Sequence, residues 1–205
     1  MVSVITGDLI KSRNLNSPTE WISVLKDSLT NISNNPSNWE MYRGDSFQLE
    51  QPDIIESFIN AIYIKACIKT IKGLDVRLAI GIGNKTYQGE NITESNGDAF
   101  LFSGETLESL KKEKQNLKIK TPNETLNQEL NLYFKLALIA MDSWTTNTAE
   151  IVKLTLEHPD ALQETLGNII GINQNAVSGR QKRAHLDEIL KLDAMYRRKI
   201  SNFIL

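Results

Sequence analysis

Val76-Arg77-Leu78-Ala79-Ile80-Gly81-Ile82-Gly83 reads as the clearest buried strand in this chain. A strand so uniformly apolar has both faces covered, so it belongs inside a sheet flanked by helices. The preceding segments supply the partners. Residues 2 to 7 form a β-branched run that ends at Gly7-Asp8. Pro18 and Thr19 open a helix to about residue 31, with Trp21, Ile22, Leu25 and Leu29 at helical spacing. Trp39 to Tyr42 and Phe47 to Leu49 read as strands joined at Arg43-Gly44-Asp45, a hairpin turn with its glycine. Pro52-Asp53 then starts an amphipathic helix whose apolar stripe holds Ile54, Ile55, Phe58, Ile59, Ile62 and Ala66, and Gly73 ends it.

Strand, helix, hairpin, helix, strand is the order of a ferredoxin-like βαββαβ sheet with helices on one face. Residues 87–96 are a polar loop, 99–114 a helix and 117–119 a strand, before a break at Thr121-Pro122. Beyond Pro122 no strand is expected. The fold class is therefore α+β: a ferredoxin-like domain over 1–121, a bridging helix over 122–145, and an all-α helix-turn-helix domain over 146–205.

With 205 residues and 40% of them hydrophobic, the chain can bury a substantial core. A net charge of -2 excludes a polycation that coats nucleic acid but leaves room for a local basic surface. Cys67, the single cysteine, excludes an intrachain disulfide and a Cys-rich zinc site, and its apolar neighbours make it a buried, inert thiol. Asp8, Lys11 and Arg13 stand where a signal peptide needs its apolar centre, and no run reaches the length of a membrane span. A cytoplasmic location is expected, with no membrane partner.

Gly7-Asp8 and Gly44-Asp45 each place an aspartate after a glycine at the end of a strand-like run. If the strands adjoin, the two carboxylates converge on one divalent metal, Mg²⁺ or Mn²⁺, because such ions take hard oxygen ligands and are completed by substrate phosphates. Each glycine would let phosphates approach the backbone, with Lys11, Arg13 and Arg43 facing them. Read singly, each aspartate is equally a helix cap or the closure of a hairpin.

The order and spacing of these elements resemble class III nucleotidyl cyclases and, more distantly, the GGDEF palm domain. Asp8 and Asp45 match the two metal-binding positions of those families. The resemblance therefore implies a cyclase-type palm that takes a nucleoside triphosphate or cyclic nucleotide. Across the whole chain the sequence is similar to the SatD family of bacterial proteins, on Ile5-Thr6-Gly7-Asp8-Leu9-Ile10-Lys11-Ser12-Arg13, on Tyr42-Arg43-Gly44-Asp45-Ser46-Phe47-Gln48 and on residues 75–83. It departs from the cyclase pattern where catalysis is supported. Residues 97–107 lack the helix Asn and Arg that stabilise the transferring phosphate, and Met41 replaces the purine-reading lysine. Binding is expected to outlast turnover.

Residues 163–182 read as a helix-turn-helix. Gly167 allows close helix approach, Gly171 makes the turn, and Asn173 caps the second helix. That helix would present Gln174, Asn175, Ser178, Arg180, Gln181, Lys182 and Arg183 to double-stranded DNA, since Asn and Gln read adenine edges and Arg reads guanine or phosphate. The same pattern also serves helical hairpins that mediate dimerisation. The expected function is a homodimeric regulator that joins a nucleotide- or metal-binding palm to a DNA-binding helix-turn-helix. The alternative is a divalent-metal-dependent nucleotidyl cyclase or related nucleotidyltransferase.

Overall fold

β1 (Val2–Ile10) and β4 (Asp75–Gly83) pair antiparallel along their whole length in a computed structural model that describes residues 1–12 and 18–205. On its other edge β1 takes β3 (Ser46–Glu50), which carries β2 (Trp39–Tyr42) as a hairpin. β5 (Leu117–Lys120) joins β4 in parallel. The result is an α+β protein with a five-stranded mixed sheet in the order β2-β3-β1-β4-β5. β1 continues past Gly7, because Leu9 and Ile10 keep pairing with Val76 and Asp75. Asp8 therefore lies within a strand rather than at its end.

Alternation along β1 sorts its side chains between the two faces. Ile5 and Leu9 join the main core, whereas Val4 packs with Ala99 and Phe100 of α3 (Asp98–Glu113) and Thr6 donates to the Ser103 hydroxyl of the same helix. On the first face lie α1 (Pro18–Ile32) and α2 (Ser57–Lys69). A 3₁₀ turn over Ile54–Glu56 precedes α2, and the Asp53 carboxylate caps it by accepting from the Ile55 amide.

α2 is not the half-exposed helix its apolar stripe predicts. It is buried almost all round, because later helices cover its outer side. α5 (Thr146–Glu157), α8 (Leu186–Ile204) and Phe134 of α4 (Glu124–Met141) make this cover, while α6 (Gln163–Ile170) and α7 (Gln174–Ala184) pack beyond it on α5. Phe58 of α2 stacks on Phe134 of α4 with centroids 4.5 Å apart, and Tyr196 of α8 tilts against both rings. One apolar cluster runs from Ile5 to Ile200, so the core continues across residue 121. α4 docks on the edge strand by polar contacts: the Asn131 side-chain amide accepts from the Ile119 amide and donates to its carbonyl.

Enclosing α2 also buries two lysines of its sequence. Lys65, with 1% of its side chain exposed, reaches Asp75 at 2.6 Å and Asp142 at 2.7 Å. Lys69 reaches the other Asp75 oxygen at 3.1 Å and donates to the Asp142 carbonyl. Both cations are paired, as burial in a low-dielectric interior requires. Among the described residues no helix is long and apolar enough to cross a membrane.

Candidate functional site

The β1–β3 pairing brings the two aspartates to one corner of the sheet. Asp8 stands opposite Ser46, and Asp45 is the turn residue just before it. The turn places Arg43 at φ 52° and Gly44 at φ 91°, and the second of these suits glycine. Two bonds fix the turn against β1. The Leu9 amide donates to the Asp45 carbonyl at 3.0 Å, and the Ser12 hydroxyl donates to the Asp45 carboxylate at 2.7 Å.

Asp8 faces α3. Its Oδ2 accepts weakly from Arg77 at 3.5 Å, directly across the β1–β4 ladder, and lies 3.8 Å from Lys111 of α3. Its Oδ1 is buried without a hydrogen-bond partner. Burial pushes the Asp8 carboxyl above its ordinary value, outweighing the attraction of Arg77 and Lys111, and the nearby Asp45 charge adds to the rise. Tyr42 belongs to the same corner: burial raises its hydroxyl, against the pull of Arg43 and Lys111. Lys111 also binds Glu108 at 2.8 Å and holds that carboxyl below its usual range.

Asp8 and Asp45 thus share one electrostatic neighbourhood. Among the described residues no group of three or more His, Cys, Asp or Glu side chains forms a metal cage. Two carboxylates with an orphaned oxygen fit a Mg²⁺ or Mn²⁺ ion only where ligand oxygens complete its shell, which is the usual manner of Mg²⁺ binding beside phosphates.

The expected phosphate contacts divide. A Cβ on Gly7 would lie 2.5 Å from the Phe47 ring, on the core face away from Asp8, so this glycine makes room for an aromatic side chain rather than a phosphate. Arg43 and Gly44 sit exposed on the turn, and Lys11 is exposed beyond β1. Arg13 lies outside the described residues. Arg77, Lys111, Tyr42 and Ser12 complete the corner beyond the residues that the two Gly-Asp elements mark. The signal for Arg77 was available, because aligning the two apolar strands antiparallel sets its charge opposite Asp8.

At the other end of the chain, α6 and α7 meet at a tight turn. A Cβ on Gly167 would fall 2.4 Å from the Ile172 carbonyl oxygen, so only glycine allows this approach. Gly171 takes φ 69°, and the Asn173 side chain accepts from the Ala176 amide at 2.9 Å. Leu166 and Val177 pack with Ile151 and Leu154 of α5.

Of the seven residues expected to face DNA, five lie on the outer side of α7. Gln174, Asn175, Ser178, Lys182 and Arg183 are exposed, and their side chains make no hydrogen bond or ion pair with the rest of the described protein. At about 100° per residue they span roughly half of the helix circumference. Arg180 and Gln181 face inward instead. Arg180 binds Glu150 of α5 at 2.7 Å, while Gln181 accepts from Gln163 and donates to Thr155. They sit beside Val177 and Ala184 on the packed face, so their polar groups hold the three helices together. No family model, curated protein or solved structure matches this chain.

Proposed function

We propose that this protein is a DNA-binding regulator: α7 enters the major groove, and the corner around Asp8 and Asp45 binds a nucleotide with a divalent cation. The observation that carries the reading is the outer row of α7. Five polar or basic side chains stand exposed together on a helix that follows a tight, glycine-dependent turn, and none is engaged elsewhere. A row of unsatisfied amides and cations on a rigid helix suits base edges and phosphates. In this reading Gln174, Asn175 and Ser178 meet bases, and Lys182 and Arg183 meet the backbone. A homodimer would offer two such helices to a symmetric site.

For the sheet, the ferredoxin-like reading is supported by the order β2-β3-β1-β4 with every neighbouring pair antiparallel. The role proposed for Asp8 and Asp45 is binding rather than turnover. Two cations already attend Asp8 Oδ2, while Oδ1 is buried and has no partner. The missing Asn and Arg of residues 97–107 point the same way.

Filter binding of the full chain to duplex DNA over a salt series tests the proposal. Affinity should be measurable at low salt and fall as salt rises, and Lys182→Ala should shallow the slope by about one counterion. Absence of binding at low salt, or binding unchanged by Lys182→Ala and Arg183→Ala together, would remove DNA from the account.

A further inference from the structure

A polar cleft of about 950 Å³ opens where the strand ends meet the C-terminal helices. Lys11, Lys69, Lys72, Arg77, Lys111 and Lys114 line it. The acidic groups nearby are largely committed. Asp75 and Asp142, also on the wall, are held by Lys65 and Lys69, and Asp8 and Glu108 are held by Arg77 and Lys111. With Lys65 included, seven cations face four carboxylates, and Lys11, Lys72 and Lys114 form no ion pair among the described residues. Charges of one sign in a recess raise the local concentration of counter-ions.

Two further features sharpen this excess. Arg77 keeps a buried Nε without any acceptor, although the residue lines the cleft. Thr145 and Thr146, the N-cap and first residue of the twelve-residue helix α5, also line it, so that helix presents its positive end there. The cleft has the volume of a nucleotide-sized ligand.

We infer that this cleft, which adjoins the Asp8 corner through Arg77 and Lys111, binds a small molecule carrying a chain of phosphates without using the two carboxylates or a metal. A polyanion matches the lining: several cations, three of them without an ion pair, and a helix N-terminus all call for acceptor oxygens. Free inorganic polyphosphate and the triphosphate of a nucleotide share this chemistry. The occupant would also lie against the segment that holds α7, because Trp144 lines the cleft and its indole N–H donates to the Ala184 carbonyl at 3.0 Å. Such binding needs neither DNA nor a metal at Asp8 and Asp45.

Calorimetric titration of the full chain in EDTA, with tripolyphosphate, ATP and adenosine in separate arms, tests it. Tripolyphosphate and ATP should bind, adenosine should not, and affinity should weaken as salt rises. Equal affinities would identify the phosphate chain as the whole ligand, and tighter ATP would add a contact to its nucleoside. Lys72 and Lys114 are exposed, so Lys72→Gln with Lys114→Gln should leave the thermal midpoint unchanged while weakening both ligands, about tenfold for each charge removed. Asp45→Asn should leave binding in EDTA intact. No binding of tripolyphosphate, or binding that survives the double lysine variant but is lost in Asp45→Asn, would overturn the inference.

Discussion

Asp8 shows at the scale of one residue how burial and attraction compete. Arg77 and Lys111 both favour its ionised form, yet loss of solvent prevails and raises its carboxyl above the ordinary value of 3.8. In the range just above that value the folded chain binds more protons at Asp8 than the unfolded chain does. Stability from this group is therefore greatest below the unfolded value and declines as pH rises through the folded one. Asp8→Asn lacks that decline. Urea midpoints between pH 4 and 7 should show the variant gaining on the parent as pH rises, whatever constant offset comes from leaving Arg77 without its partner. Parallel curves would contradict the burial account. The sequence made Asp8 visible through its Gly-Asp context, but not its surroundings. Lys111 reaches it from more than a hundred residues away, and Gly7 owes its identity to Phe47, which becomes its neighbour only once β3 is in register.

Elements were legible where local chemistry decides them. The hairpin turn at Gly44, the cap at Asn173 and the tight approach at Gly167 stand where the sequence places them, because each depends on a backbone preference or a short-range contact. α2 was misread for the opposite reason. An apolar stripe records one buried face, whereas here the second face is buried by helices that come later in the chain, and its lysines are satisfied by Asp75 and Asp142 from distant elements. This network ties α2, β4 and the end of α4 together. Lys65→Met keeps the volume but takes the cation from Asp142 and leaves Asp75 with Lys69 alone. Chemical denaturation should show a loss of about 2 kcal/mol, since Asp142 is partly solvated. A loss below about 0.5 kcal/mol, the range of ordinary surface substitutions, would mean the network is solvated rather than buried. Arg180 and Gln181 turn inward for the same reason. Helical spacing puts both at the margin of the packed face, and their partners on α5 and α6 draw them inward.

For the molecule as a whole, texture along the sequence suggested a sheet domain, a bridge and a helical domain, but the core does not follow that division. Phe58, Phe134 and Tyr196 form one aromatic cluster from three widely separated helices, and the apolar cluster around them reaches from the first strand to the last helix. The helices after Pro122 close the open side of α2 and carry α7 outward, so sheet and α7 are held by common packing. The central claim is that α7's outer row reads DNA sequence, and selection of binding sites from a randomised duplex pool by the full chain tests it most directly. The account predicts enrichment of a short motif, with Asn175→Ala relaxing the preference at one position while leaving the rest of the motif intact. No enrichment above background, or a motif identical for the parent chain and Asn175→Ala, Gln174→Ala and Ser178→Ala, would contradict it.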